Sequence, residues 1–208
     1  MQTPSSSSPS EFWEERYLGA NVEEVSWYEA KPNLSRALLQ MGGLELTDSV
    51  IDVGGGASFL AQSLDAMHVH DVTVLDASGS ALQLAQSRWE GSSNVTWLTA
   101  DLLDWQPTRR WNVWHDRAVF HFLTTEAERA KYRELLGAAV AEGGTAVIAT
   151  FAEDGPTMCS GLDVRRFRPE ELAAEFENEF SVLASGRYLH VTPSGSVQPL
   201  SWVVLRRR

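Results

Sequence analysis

The sequence holds a single cysteine, Cys159, in 208 residues, so it cannot form an internal disulfide or a zinc site built on several cysteines. It is also short of positive charge. Seventeen Lys and Arg stand against 28 Asp and Glu, and 17 minus 28 leaves a formal charge of −11. A balance of that sign repels nucleic acid and anionic membrane at long range, so neither is an expected partner. The two basic clusters, Arg165, Arg166 and Arg168 and the terminal Arg206, Arg207 and Arg208, are short and read as solvated ends. No apolar run approaches the length of a membrane span, and Met1 to Ser10 lacks the basic start and apolar middle of a signal peptide. A reducing, cytoplasmic location is the expectation. His68 and His70 flank Val69 with no third ligand nearby, so no metal is expected either.

What is present is a 43% hydrophobic chain, long enough for one α/β domain and too short for a nucleotide-binding domain plus a separate catalytic one. Residues 1–10 are rich in Ser and Pro and read as a disordered tail, leaving 11–208 as the domain.

The most informative stretch is Ser49 to Gly56. Val50, Ile51 and Val53 make a short β-branched run of the kind found in buried parallel strands, and Gly54, Gly55 and Gly56 end it abruptly. From Ala57 to Asp65 the apolar residues fall at helical spacing, so the unit reads strand, glycine turn, helix. Glycines at such a turn let a ligand approach the backbone. Phe59 stands where the dinucleotide fingerprint wants a third glycine. Asp52, an acid inside an apolar strand, requires a cationic or hydrogen-bonding partner. Val72 to Leu75 is the next strand and ends on Asp76, twenty residues past Gly56, where βαβ sites place the acid that accepts from ribose hydroxyls.

Asp52 with Gly54 and Gly56, then Asp76-Ala77, then Ala100-Asp101-Leu102 after a third strand at Val95 to Leu98, resembles in order the motifs of the class I S-adenosylmethionine (SAM) dependent methyltransferases. The resemblance implies that the glycine turn meets the methionine and ribose of SAM, that Asp101 accepts from the adenine amino group, and that Leu102 lies on the ring. It also implies a single-domain three-layer α/β sandwich, with a mostly parallel seven-stranded sheet and a C-terminal antiparallel hairpin. The pattern Trp13-x-x-Arg16-Tyr17 with Trp27-Tyr28 looks like the lid of small methyltransferases, including relatives of the elongation factor 1A lysine methyltransferases. There the aromatics cover the sulfonium, which is drawn to a π face. Phe12 and Leu18 read as the face that docks this segment on the sheet.

The fourth strand, Trp111 to His115, is followed by Asp116 and His121, placing His115, Asp116 and His121 where an acceptor meets the cofactor. Methyl transfer is an in-line displacement that needs alignment and, for some acceptors, removal of a proton, so these three are the candidate bases, and His115 also a cofactor contact. The Asn/Asp-Pro-Pro-Tyr motif of enzymes that methylate nucleobase or glutamine amides is absent. Further on, Ala127 to Val140 reads as a helix stopped by a Glu142-Gly143-Gly144 turn, Thr145 to Phe151 as a buried strand, Ala152 to Phe167 as a long pocket-shaping loop holding Cys159, Pro169 to Phe180 as a helix, and 181–191 with 199–205 as the hairpin. The expected function is transfer of a methyl group from SAM to a nucleophilic N, O or S of a small molecule. A protein lysine methyltransferase, a nucleotide-binding oxidoreductase and a catalytically silent methyltransferase-like binding protein are the alternatives.

Overall fold

The computed structural model describes residues 8–19, 21–89 and 94–208. Most of the expected N-terminal tail, residues 1–7, lies outside the described residues. The first helix, α1 (Pro9–Tyr17), begins inside the stretch read as tail, because Ser8 and Glu11 form a reciprocal capping box and Pro9 sits in the first turn. A short 3-10 turn at Val22–Glu24 leads to α2 (Asn33–Met41), β1 (Ser49–Val53), α3 (Leu60–Ala66), β2 (Asp71–Asp76), α4 (Gly79–Ser87), β3 (Val95–Thr99) and β4 (Trp111–Arg117). A second 3-10 turn at Phe120–Phe122 precedes α5 (Glu126–Ala139), β5 (Val140–Phe151), a small hairpin of β6 (Met158–Cys159) and β7 (Leu162–Asp163), α6 (Pro169–Ala174), β8 (Phe180–Val191) and β9 (Val197–Arg207).

Seven strands form one sheet in the order β3-β2-β1-β4-β5-β9-β8, parallel from β3 to β5 and antiparallel across β5, β9 and β8. Alternation along β1 divides the core. Ile51 and Val53 pack with Trp114, Tyr132, Leu136 and Phe176 on the face covered by α5 and α6, while Val50 packs with Leu38, Leu39, Leu60 and Leu64 on the face covered by α2 and α3. The two buried indoles are satisfied: Trp114 donates to the Tyr132 hydroxyl (3.0 Å) and Trp111 to the Thr73 hydroxyl (3.1 Å).

Three local expectations are corrected. Glu142, Gly143 and Gly144 lie within β5 as an offset: Trp111 faces Val140, and the register then jumps to Val113 facing Thr145. Gly143 adopts φ +70°, which lets the strand absorb the extra residues. The helix from Pro169 stops at Ala174, short of Phe180. Leu18 is 64% exposed and docks nothing, since α1 rests on the body through Tyr17 and Trp13 instead.

The chain lays β2 and β3 on one side of β1 and β4 and β5 on the other. The carboxyl ends of β1 and β4 therefore flank a crevice, the place where ligands bind in open α/β sheets.

Candidate active site

At the end of β1 the chain turns back through Gly54 (φ +63°) and Gly56 (φ +48°), with the Gly54 amide donating to the Leu75 carbonyl (2.7 Å). A Cβ built on Gly54 would lie 2.0 Å from a Val119 methyl, and one on Gly55 would lie 2.6 Å from Asp52 Oδ2 and from Val74. On Gly56 it would lie 2.9 Å from the Tyr17 hydroxyl and 3.2 Å from Asp76 Oδ2. The turn admits only glycine because it is a cradle pressed between the next loop and the N-terminal helix. Gly54→Ala is accordingly expected to destabilise the fold by about 2 kcal/mol, through the methyl clash and the left-handed backbone, measured as a shift in urea midpoint at unchanged slope.

Asp52 has the partner its burial demands. Its Oδ1 lies 2.7 Å from His115 Nδ1, and His115 Nε2 lies 2.9 Å from the Ser35 hydroxyl on α2. A carboxylate only accepts, so Nδ1 carries the proton and donates, leaving Nε2 to accept from Ser35 in the neutral ring. The three buried groups form a relay under the glycine turn.

Asp76 ends β2 and accepts from the Ser78 amide (2.8 Å). Burial pushes its carboxyl up to about 7, and the nearby Asp52 charge adds to this, against the pull of the backbone amides. Ala77, Ala100 and Leu102 continue the wall beyond it. Asp101 is half-buried, accepts from the Leu103 amide (2.9 Å) and sits next to that wall without lining it.

Above the crevice α1 is tied down by Glu14, which accepts from the Ser78 hydroxyl (2.8 Å), the Ser80 amide (3.1 Å) and the Ser80 hydroxyl at the N-terminus of α4. Those bonds hold the Glu14 carboxyl below its ordinary range. Trp13 meets Trp27 (6.2 Å) and Phe122 (5.2 Å) edge to face, and Tyr17 meets Trp27 (6.4 Å). Tyr28 packs on Phe59 (5.9 Å). The aromatic segment is a roof over two connected clefts. The larger spans about 860 Å³, counting space open to solvent, and is lined by Trp13, Tyr17, Trp27, Gly54, Asp76 and Leu102 among others; the smaller, about 590 Å³ on the same basis, reaches Tyr28, Ser35, Asp52, Gly55 and His115.

Of the three candidate bases only His115 faces a cleft. Asp116 is fully buried on the α5 side, where it accepts from the Tyr132 hydroxyl (2.7 Å) and the Val119 (3.0 Å) and Phe120 (3.2 Å) amides. Burial raises its carboxyl to about 6. It caps the turn that follows β4. His121 is also fully buried between Phe122, which it meets edge to face (4.4 Å), and Phe151, to which it is tilted (4.7 Å), with no hydrogen-bond partner for either nitrogen among the described residues. Burial, then Arg117, pushes its imidazole down to about 3. Both lie behind the cleft walls, because side chains alternate across β4 and the 3-10 turn directs His121 inward.

Residues 50–144 match the model of the methyltransferase domain family. The matched segment runs from β1 into β5, just under half of the chain, and is similar to a methyltransferase domain; the sheet around it has the Rossmann-like order. Solved structures agree in fold. A structure described under the conversion of a disulfide into a thioacetal during echinomycin biosynthesis superposes with TM-score 0.76 at 19% identity, covering 95% of this chain and 92% of that one. The N-methyltransferase NodS of Bradyrhizobium japonicum, in complex with S-adenosylhomocysteine (SAH), gives 0.71 at 15% identity over 96% and 99%. The 1,6-didemethyltoxoflavin-N1-methyltransferase of Burkholderia thailandensis, with its substrate and SAH, gives 0.69 at 20% over 100% and 93%. No curated protein matches the sequence.

SAM is the cofactor of this class. The site has features that fit it: a cradle too tight for a Cβ, a buried strand-end acid, and an aromatic roof. It also has a group of residues at the cleft that carried no sequence signal. Arg117 donates to the Trp27 carbonyl (3.0 Å) and pairs with Glu29 (3.2 Å), which lies 3.1 Å from His190 Nδ1; His190 Nε2 donates to the Ser26 carbonyl (2.8 Å). Ala118, next to Arg117, holds φ +70°, strain for a non-glycine at the cleft wall. These residues come from three distant segments and match no spacing pattern. The one local hint was the charged Asp116-Arg117 pair at a strand end.

Proposed function

We propose that the protein transfers the methyl group of SAM to a nucleophilic N, O or S of a small-molecule acceptor. The observation that carries this reading is the larger cleft, which joins the cradle, Asp76 and Leu102 to further aromatic-walled room beyond the sheet ends. Bound SAM supplies an electrophilic methyl on sulfonium sulfur. Asp76 would accept from the ribose hydroxyls, Ala77, Leu102 and Asp101 would hold the adenine, and Gly54, Gly55 and Gly56 would let the cofactor approach the backbone closely. Asp52, oriented by His115 and Ser35, offers negative charge toward the methionine ammonium. Trp13, Tyr17, Trp27 and Tyr28, which line the two clefts, would exclude water and offer π faces to the sulfonium.

His115 is committed to Asp52 and Ser35, and Asp116 and His121 are enclosed, so catalysis rests on alignment rather than on a protein base. The neighbour from Burkholderia thailandensis, whose bound 1,6-didemethyltoxoflavin is a small molecule, supports a small acceptor. Isothermal calorimetry tests the reading: heat is expected with SAM and SAH and none with NAD. The absence of heat with either adenosyl compound would sink it.

A further inference from the structure

Residues 25–32, between the first 3-10 turn and α2, belong to no helix or strand and cross the two clefts where they join. Trp27 lines both clefts, Ser26 only the larger and Glu29 only the smaller. A ligand that reaches from Asp76 to Asp52 therefore passes beneath Trp27. The body catches this strap by its main chain: Arg117 Nη1, at the end of β4, donates to the Trp27 carbonyl (3.0 Å), and His190 Nε2, on β8, donates to the Ser26 carbonyl (2.8 Å). Glu29 completes the fastening, with Oε1 3.2 Å from Arg117 Nη2 and 3.1 Å from His190 Nδ1. All three side chains are largely buried, so salt screens the pairs little.

The fastening is also incomplete. Glu29 Oε2 and Arg117 Nε are buried with no hydrogen-bond partner among the described residues. Each forgoes in the closed arrangement a bond that water supplies once the strap lifts, so this cluster holds less firmly than a fully paired one. The preceding helix α1 differs, because Glu14 fixes it to Ser78 and Ser80 through three bonds. One end of the roof is anchored and the other is clasped. We infer that Glu29, Arg117 and His190 form a latch that keeps the strap shut over the cofactor and sets the rate at which SAM enters and SAH leaves. This rests on the methyltransferase reading above and goes beyond it. The latch grips the strap whether or not a ligand lies beneath, so loosening it speeds entry and exit alike and leaves affinity nearly unchanged. A side chain that touches the ligand instead changes mainly the exit rate.

Stopped-flow tryptophan fluorescence tests the latch. Mixing with increasing SAH gives the entry rate, dilution of the complex gives the exit rate, and calorimetry gives the affinity independently. Glu29→Gln keeps the shape of the side chain and removes its charge; it is expected to raise entry and exit rates about tenfold each, with the dissociation constant within about threefold of wild type. His190→Ala opens the second catch and is expected to raise both rates by about threefold, again at nearly constant affinity. It carries the test alone if Glu29→Gln does not fold. Entry that is unchanged or slower in the folded variants, or a faster exit matched by a proportional loss of affinity, overturns the latch and leaves the cofactor site standing. A wild type that binds no SAH overturns both readings together.

Discussion

Asp76→Asn is expected to weaken SAM binding by roughly ten- to a hundredfold and to abolish its dependence on pH. The size follows from hydrogen bonds to a charged acceptor, each contributing about 1.5–3 kcal/mol. The pH dependence follows from burial, which leaves the carboxyl near half protonation at about pH 7 in the cofactor-free protein. Ribose hydroxyls donating to it favour the carboxylate, so the cofactor selects the ionised form. Affinity should rise with pH, by about tenfold per pH unit below 7, and level off above it. Calorimetry from pH 5.5 to 8.5, with proton release measured in buffers of different ionisation enthalpy, reads both quantities. A wild-type affinity flat across that range, or the same slope in Asp76→Asn, would remove Asp76 from the cofactor site.

The second large effect concerns stability. His121 ionises at about 3 in the folded chain against 6.5 when unfolded, so between those values the unfolded chain binds more protons and the fold loses stability as pH falls. That single group contributes a loss of roughly 3 kcal/mol between pH 7 and pH 4. Asp76 and Asp116 act in the opposite sense: their raised carboxyls bind protons in the folded state first, so they favour the fold as pH falls through 7 and 6 toward 4. In the wild type these terms partly cancel. In His121→Phe only the aspartate terms remain, so relative to wild type the variant should gain roughly 3 kcal/mol on going from pH 7 to pH 4, whatever packing change it carries at neutral pH. Urea unfolding of both proteins at each pH measures it. A difference that does not change with pH would show that His121 is partnered or solvated in solution.

The three titratable residues clustered after β4 do not share one environment in the structure. His115, Asp116 and His121 all sit within seven residues of a strand end, where a ligand belongs, and proximity in sequence hid their divergence in space. His115 turns to Asp52 beneath the glycine turn, Asp116 turns to Tyr132 and the helix layer, and His121 is pressed between two phenyl rings. One residue along a strand reverses the face, so neighbours in the chain need not share an environment.

What the sequence determined by itself was the half of the molecule encoded locally. A β-branched run stopped by glycines, an acid at the end of the next strand and an acidic-apolar step after the third each depend on residues a few positions apart, and together they placed the cradle, Asp76, Leu102 and the strand order around them. What only the tertiary structure decided was the hairpin end of the larger cleft. Arg117, His190 and Gln198 line it together, with Glu29 of the neighbouring cleft paired to Arg117 and His190, because the antiparallel β8–β9 pair folds back beside β5 and the aromatic roof crosses over both. That convergence is set by packing of segments more than 150 residues apart, which leaves no periodicity or spacing for the chain to display.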